Sequence, residues 1–446
     1  MSTQHLLLIS HPTQDLRGTI ELPGDKSISH RAVILGALAD GESVIHHLLE
    51  GEDVLKTVGA FRAMGVEARR DESGTWRIRG VGLDGLSEPL DVLDMGNSGT
   101  AMRLLAGLLA GQPFFSVLTG DESLRGRPMG RVAVPLARMG ARILGRDANR
   151  FAPLAIQGCD LTGIDYISPV ASAQVKTAVL LAGLTASGRT TVSEPALSRD
   201  HTERMLTAFG VTVEREGLSV AVTGHSRLKG LEMTVPGDIS SAAFPMVAAL
   251  LVPGSEVTLR GVGVNPTRTG LLELLLAMGA DITVSNPRDA GGEPVADLVV
   301  RHSRLKGIEV PPEVVPRAID EFPVFALAAA CAEGETVVTG AEELRVKESD
   351  RIRAIALGLG AQGARIEELA DGMRVFGRPE GLEGGGVAEA FGDHRVAMTL
   401  MVAGMAARAP VRVSGKANIE TSFPGFATLM NGLGGRIGRD DQGETW

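Results

Sequence analysis

Cysteine is scarce in this chain: only two of the 446 residues are cysteines, Cys159 and Cys331. Two cysteines exclude the disulfide framework of a small secreted domain. No uninterrupted apolar run reaches the roughly 18 residues that would predict a transmembrane helix. The N-terminal residues lack the basic, then apolar, then small-residue order of a signal peptide. We therefore expect a cytoplasmic protein that makes no use of a membrane.

Aromatic residues are also few, at 3% of the chain, and the formal net charge is −10. Few stacking platforms and an acidic balance disfavour nucleic acid as a partner. The nine histidines form no HExxH motif and no close Cys/His cluster, which argues against a metal site. No GxGxxG follows a strand-like segment, so we expect no dinucleotide cofactor.

A repeated helix-closing glycine is the first positive feature. Six apolar or long residues, each followed by glycine, close helix-like segments at steps of 69 to 84 residues. A glycine at such a place predicts a left-handed helix cap. The six glycines are Gly65, Gly140, Gly210, Gly279, Gly363 and Gly434.

A second series consists of polar residues that open apolar runs of helix length. Each run is followed by a short strand-like segment, a polar loop, a second helix that ends at the glycine, and two more strands. The unit is therefore predicted to be β-α-β-α-β-β, about seventy residues long and present six times. The six helix starts are Ser27, Asn97, Ser172, Ser240, Asp320 and Asp393.

Six units suit two domains of three. Pro23-Gly24-Asp25 recurs 213 residues later as Pro236-Gly237-Asp238, which is three units. The last unit lacks its final strands, and the segments Leu6 to Ile9 and Thr19 to Leu22 are candidates to supply them. We expect a continuous domain at 24–236, inserted into a discontinuous domain of 1–23 and 237–446, with a hinge at the two Pro-Gly turns and a cleft between the domains.

Cations collect at the helix starts and in the loops before the second helices, so this cleft is expected to be basic. A helix terminus stabilises a nearby anion by roughly 0.3–1 kcal/mol, and a charge-assisted hydrogen bond contributes about 1.5–3 kcal/mol. Side chains would therefore hold the anion and termini would orient it. The predicted ligand carries more than one phosphate or carboxylate. The main cations are Lys26, Arg31, Arg127, Arg199, Lys347, Arg351 and Arg395.

Each cluster also has an ordinary structural explanation. Arg127 could be an exposed arginine in a surface loop, which is the usual place for arginine. Asp320 could simply cap its helix. Residues 347–351 suit an exposed helix laced by ion pairs. The coincidence of so many polar groups at equivalent positions of the repeat favours a binding site instead.

Six motifs, in order, resemble those of the 5-enolpyruvylshikimate-3-phosphate synthase family. The resemblance covers nearly the whole chain. It implies an α/β fold, a two-domain inside-out α/β barrel with three βαβαββ units in each domain. The motifs are Pro-Gly-Asp-Lys-Ser-Ile-Ser-His-Arg (23–31), Asn-Ser-Gly-Thr-Ala-Met-Arg (97–103), Arg-Pro-Met-Gly-Arg (127–131), Ser-Ala-Gln-Val-Lys (172–176), Arg-Val-Lys-Glu-Ser-Asp-Arg (345–351) and Asp-His-Arg (393–395).

The resemblance also implies a reaction. The enolpyruvyl group of phosphoenolpyruvate passes to the 5-hydroxyl of shikimate 3-phosphate by addition and elimination through a tetrahedral intermediate, in the shikimate pathway to chorismate. No cofactor is expected. We expect a monomer because the two domains already bury the faces of the repeats, and inhibition by glyphosate because Gly99 keeps the backbone open beside phosphoenolpyruvate.

By the family's pattern, two sets of residues bind the two substrates. The phosphoenolpyruvate set is Lys26, Gly99, Arg127, Gln174, Arg351 and Arg395. The shikimate 3-phosphate set is Ser27, Arg31, Ser172, Ala173, Gln174, Arg199, Asp320 and Lys347. We assign Asp320 as the base for the 5-hydroxyl, and Lys26 and Glu348 to the proton of the methylene carbon.

Departures from the common pattern resemble a divergent second class of the family. Ala173 stands where many members have serine, Leu104 where many have proline, and Thr421 where many have lysine. Lys416 is the candidate replacement for the cation absent at Thr421.

Two alternatives remain at this stage. A UDP-N-acetylglucosamine enolpyruvyl transferase shares the fold and donor but usually has a reactive cysteine in the loop corresponding to 120–127, which has none here. A non-catalytic repeat protein that binds phosphorylated metabolites would need no acid–base residues, whereas Asp320 and Glu348 suit catalysis.

Overall fold

The structure, a computed structural model, describes residues 7–414 and 419–439, so Lys416 lies outside the described residues. Two short 3₁₀ helices occupy Glu342–Val346 and Ile419–Thr421. No helix in the described ranges is both long and apolar enough to cross a membrane. The helices are α1 Lys26–Leu38, α2 Glu52–Ala63, α3 Gly99–Ala110, α4 Glu122–Arg125, α5 Gly130–Arg138, α6 Arg146–Asn149, α7 Ala173–Thr185, α8 His201–Ala208, α9 Ile239–Leu251, α10 Gly270–Ala277, α11 Val315–Ala318, α12 Phe322–Ala330, α13 Arg351–Gly360, α14 His394–Ala406 and α15 Phe426–Gly432.

The strands are short, as expected for small sheets that each belong to one repeat. They are β1 Leu8–Ser10, β2 Arg17–Glu21, β3 Ala39–His46, β4 Glu67–Arg70, β5 Trp76–Val81, β6 Leu93–Asp94, β7 Phe115–Thr119, β8 Arg142–Gly145, β9 Phe151–Gln157, β10 Asp165–Ile167, β11 Arg189–Ser193, β12 Val213–Glu216, β13 Ser219–Thr223, β14 Leu228–Lys229, β15 Glu232–Thr234, β16 Glu256–Gly263, β17 Asp281–Ala290, β18 Glu293–Arg301, β19 Glu335–Val338, β20 Arg365–Leu369, β21 Gly372–Phe376, β22 Val387–Glu389, β23 Val411–Ser414 and β24 Ile437–Arg439.

In the described part of the chain the strands form six small sheets of three to five strands, and one strand order recurs among them. In β6-β7-β9-β8 and β10-β11-β13-β12, the leading strand is parallel to the second, and the last two strands pair antiparallel. The sheet β2-β16-β18-β17 has the same order. The predicted βαβαββ repeat, and with it the α/β fold class, is confirmed.

The chain divides into two compact units. The first, here called the insert unit, comprises Gly24–Pro236 together with Asp289–Glu293, the tip of the β17–β18 hairpin. The second, the flanking unit, comprises the described residues before 24, residues 237–288 and the described residues from 294 onward. Each unit contains three of the six sheets and one continuous apolar core.

Strand β1 completes the last repeat of the flanking unit. It pairs antiparallel with both β23 and β24, as the sequence predicted for the segment that ends at Ile9. A β-carbon on Gly404 of α14 would lie 2.7 Å from the Ser10 carbonyl oxygen, so this helix admits β1 only because residue 404 is glycine. The prediction for Thr19 to Leu22 is wrong, because β2 pairs parallel with β16 and opens the fourth repeat.

The first helix of each repeat is buried on nearly all sides. In α1 every residue from Ile28 to Leu38 is buried, so the helix cannot be a surface element. A β-carbon on Gly107 of α3 would lie 2.1 Å from the Ala178 carbonyl oxygen of α7, which shows how closely these two helices pack. The six helix-closing glycines have φ between 88° and 109°, so the predicted left-handed caps are confirmed.

Candidate active site

The first helices of the repeats begin at polar caps. Five N-cap side chains accept a hydrogen bond from a backbone N–H of the first turn, whereas α12 begins at Glu321 without such a bond. Capping fixes the helix start, and the remaining first-turn N–H groups retain their partial positive charge for an anion. The five caps are Asp25, Ser98, Ser172, Asp238 and Asp393.

Arg31 is a fixed, buried cation in the insert unit. Its Nε donates to Thr202 Oγ1 at 2.7 Å, its Nη2 to Thr177 Oγ1 at 2.9 Å and its Nη1 to the Ser27 carbonyl oxygen at 2.9 Å. Burial lowers its pKa to about 10, against the opposing effect of the nearby Glu203 and Asp25 carboxylates. Arg31 is therefore still positively charged at neutral pH.

A second group in the insert unit surrounds Gly99. The Gln174 side chain accepts from Arg103 Nη1 at 2.5 Å, and Arg127 Nη2 donates to Asn97 Oδ1 at 2.7 Å. A β-carbon on Gly99 would lie 3.1 Å from Arg103 Nη1 and 3.6 Å from Arg127 Nη1. Three of the predicted residues therefore meet here. Arg103 belongs to one of the six motifs, but the sequence indicated no role for it, because its partner Gln174 is 71 positions away.

Lys26, at the start of α1, is paired with a carboxylate but keeps solvent access. Its Nζ lies 3.2 Å from Asp53 Oδ2, and 23% of its side chain is exposed. Ser172 caps α7, Ala173 is the first residue of that helix, and Arg199 lies in the loop before α8. The start of α7 thus presents backbone N–H groups beside hydroxyl and amide side chains.

His30 is the most strongly perturbed histidine of this unit. Its Nδ1 lies 2.8 Å from Thr57 Oγ1, and burial, followed by the charges of Lys26 and Arg31, lowers its pKa from 6.5 to about 3. The unfolded chain therefore binds a proton at mildly acidic pH that the folded chain does not. The stability due to neutral His30 is complete above pH 6.5 and is lost progressively as the pH falls toward 3.

We expect the free energy of unfolding to fall by about 2 kcal/mol between pH 6.5 and pH 5 from this residue alone. Urea titrations at several pH values measure it, and His30→Gln should flatten the slope, whereas replacement of the exposed His225 should not. An unchanged slope in His30→Gln would refute the assignment.

Arg351 organises the cluster of the flanking unit. Its side chain is 1% exposed and donates to Asp393 at 2.8 Å, to Glu348 at 2.6 Å and to Asp320 at 3.4 Å. Burial alone would lower the Arg351 pKa, but the three carboxylates outweigh it and raise the pKa. Burial by itself would raise the pKa of Asp393, but the charges of Arg351 and His394, together with the hydrogen bond from Arg351, lower it.

Asp320 lies between several cations. Lys347 Nζ is 3.5 Å from its Oδ1, and Arg395 Nη1 donates to its backbone carbonyl at 3.0 Å. Asp320 and Glu348 have 16% and 24% of their side chains exposed, so both carboxylates can reach solvent or a ligand. The predicted residues of this region are therefore brought together around one buried guanidinium.

The sequence did not reveal the support behind Arg395. Its Nη1 lies 3.5 Å from the fully buried Glu321, which accepts a short hydrogen bond from Ser240 Oγ. Arg268 donates to the same hydroxyl at 2.6 Å. Among the described residues, no group of three or more His, Cys, Asp and Glu side chains is placed to hold a metal ion.

Comparison with known proteins identifies the family to which this chain belongs. The model of the family described as EPSP synthase (3-phosphoshikimate 1-carboxyvinyltransferase) matches residues 10–430. A 3-phosphoshikimate 1-carboxyvinyltransferase of Magnetococcus marinus is 63% identical over 95% of this chain and 96% of its own length. The Geobacter sulfurreducens protein of the same name is 58% identical over 95% and 98%. The solved structure of EPSP synthase from Acinetobacter baumannii matches with a TM-score of 0.89 and 48% identity, over 98% of this chain and 100% of that one.

Proposed function

Because this chain belongs to the EPSP synthase family, we propose that its two clusters of charged residues bind and activate the substrates of that family's reaction. The chain transfers the enolpyruvyl group of phosphoenolpyruvate to the 5-hydroxyl of shikimate 3-phosphate and releases phosphate, a step of the shikimate pathway to aromatic amino acids. The observation that carries the residue assignments is Asp320, a part-exposed carboxylate within 3.5 Å of two cationic side chains.

Shikimate 3-phosphate binds in part at the start of α7. Its phosphate accepts hydrogen bonds from backbone N–H groups and polar side chains of Ser172, Ala173 and Gln174, because a helix N-terminus offers hydrogen-bond donors and partial positive charge. Arg31 and Arg199 add the full charges of the site. Ser27, Lys347 and Asp320 complete the set that contacts this substrate.

Phosphoenolpyruvate binds to the Gly99 group, Lys26, Arg351 and Arg395. The planar guanidinium of arginine can form two parallel hydrogen bonds to either a carboxylate or a phosphate. Arg351 already forms ion pairs with three carboxylates. An arriving anion therefore competes with two of them, Asp320 and Glu348, for the guanidinium. A carboxylate displaced in this way loses a stabilising cation, and its proton affinity rises.

This displacement supplies the acid–base chemistry. Asp320 takes the proton of the 5-hydroxyl while the oxygen attacks C2 of phosphoenolpyruvate, and Lys26 or Glu348 delivers a proton to the methylene carbon. The methyl proton then returns to Lys26 or Glu348, and phosphate leaves with the proton that Asp320 had accepted, which restores the double bond. Each side chain returns to its starting protonation state after one turnover. We propose that the enzyme acts as a cytoplasmic monomer.

A phosphate-release assay tests this function directly. With phosphoenolpyruvate and shikimate 3-phosphate together we expect one phosphate per transfer, with no release when either substrate is omitted. UDP-N-acetylglucosamine in place of shikimate 3-phosphate should give none. Release with the nucleotide sugar would instead identify the sister transferase, and binding of both substrates without release would identify a non-catalytic protein.

A further inference from the structure

A buried ion triad outside the substrate sets lies in the third repeat of the insert unit. Lys176 Nζ, on the first turn of α7, is 3.0 Å from Glu194 Oε2 and 2.8 Å from Glu203 Oε1. The three side chains are exposed by only 2%, 4% and 2%. Taking three charges out of water is unfavourable, and a buried triad is weak evidence for stability alone.

Glu194 connects two segments of the proposed shikimate 3-phosphate site. Its Oε1 accepts from the Ser172 backbone N–H at 2.7 Å, and its Oε2 accepts from Ser198 Oγ at 2.6 Å. Ser172 is the N-cap of α7, and Ser198 precedes Arg199. One carboxylate thus fixes the helix start and the arginine loop relative to each other.

The same carboxylate creates an electrostatic problem. A negative charge at the start of α7 opposes the partial positive charge that would attract a substrate phosphate. Lys176 lies between Glu194 and Glu203 and compensates this charge inside the protein, where screening by water and salt is weak. The second oxygen of Glu203 has no hydrogen-bond partner among the described residues. Arg31, bonded to the neighbouring Thr177 and Thr202, balances the remaining charge.

We propose that Lys176 is a positioning and charge-compensating residue that keeps the α7 N-terminus receptive to the phosphate of the acceptor substrate. Glu194 holds the two binding segments in place, and Lys176 prevents Glu194 from repelling the phosphate. This inference rests on the proposed function, since it requires the phosphate of shikimate 3-phosphate to lie at the start of α7.

Calorimetric titration of the full-length variants with shikimate 3-phosphate and with shikimate tests the idea, because shikimate lacks the phosphate. In Lys176→Met we expect the dissociation constant of shikimate 3-phosphate to rise at least tenfold and that of shikimate less than threefold. Lys176→Arg should stay within threefold of the parent for both ligands. Lys176→Met/Glu194→Gln should recover most of the loss, because the amide keeps an acceptor for Ser172 and removes the charge.

A matched control is Gln112→Leu, which removes a buried polar contact at the far end of α3, with the Leu83 carbonyl, in the same unit. It should lower the melting temperature without changing either dissociation constant. Equal weakening of both ligands in Lys176→Met, or a double variant no better than Lys176→Met, would show a purely structural role and overturn the proposal. If Lys176→Met does not fold, Glu194→Gln alone decides: tighter or unchanged binding of shikimate 3-phosphate supports the proposal, and weaker binding overturns it.

Ser172→Ala separates the two levels of inference. If it leaves the affinity for shikimate 3-phosphate unchanged, the placement of the phosphate at α7 fails, and the role of Lys176 fails with it. If Ser172→Ala weakens binding while Lys176→Met does not, only the role of Lys176 is overturned.

Discussion

Asp320→Asn is expected to reduce kcat by about 10²–10⁴-fold, the range typical for removal of a general base. The amide occupies the same volume and still accepts a hydrogen bond, so the dissociation constant of shikimate 3-phosphate should change far less than kcat. Asp320 is placed for this role because its part-exposed carboxylate lies 3.5 Å from Lys347 Nζ and 3.4 Å from Arg351 Nη1. Steady-state phosphate release and equilibrium binding measure the two quantities.

Asp350→Asn is the matched control for this substitution. Asp350 caps α13 and pairs with Arg345 at 2.7 Å, in the same segment but outside both substrate sets. It should retain kcat within a small factor. An Asp320→Asn enzyme with parental kcat would exclude this residue as the base, and equal losses in affinity and kcat would reduce it to a binding residue.

Arg351→Leu is expected to destabilise the folded protein by about 3–5 kcal/mol, the typical effect of removing one partner from a buried ion cluster. The change leaves Asp393, which is fully buried, together with Asp320 and Glu348 without their shared cation. It also removes a proposed phosphoenolpyruvate ligand, so KM for that substrate should rise in any folded fraction. Urea unfolding of parent and variant measures the loss.

The pH dependence gives an independent check on this cluster. The lowered pKa of Asp393 means that its pairing stabilises the protein above the ordinary value of 3.8 and that this contribution is lost as the pH falls through the lowered value. In Arg351→Leu, burial without this cation raises the pKa of Asp393, so the carboxyl takes up a proton at a higher pH than in the parent, and the stability difference between the two proteins should shrink as the pH falls. The control Arg301→Leu breaks exposed pairs with Glu256 and Asp281 and should leave the stability almost unchanged, because water and salt screen such pairs. An equally small change in the free energy of unfolding for Arg351→Leu would contradict the proposed stabilising role of the Arg351 cluster.

Helix ends and repeats were predictable because their causes are local. A left-handed cap needs glycine at one position, so Gly65 and its five counterparts marked the second helices directly. The pairing of Thr19 and Ile20 was not predictable in the same way. These residues satisfy the strand pattern equally well in the fourth repeat or the sixth, and only the parallel register with Thr258 and Leu259 in β16 decides between them.

The site was predictable in its cations but not in their partners. Lysine and arginine at repeat-equivalent starts stand out in a sequence, whereas a carboxylate such as Glu194 or Asp53 resembles any surface acid. Arg31 meets Thr202 across 171 positions, and Lys26 meets Asp53 across 27. Such contacts depend on how the buried first helices pack, which composition and periodicity do not specify.

The position of β1 has a consequence for synthesis on the ribosome. This strand is made first, yet both of its neighbours in the sheet, β23 and β24, are made last. At about 5–20 residues per second, roughly 400 residues of chain take about 20–80 seconds to emerge. Throughout that interval the backbone groups of β1 lack both of their partner strands, whereas residues 24–236 of the insert unit are all made well before the interval ends. The last repeat can therefore close only after β23 and β24 have emerged, long after its first strand.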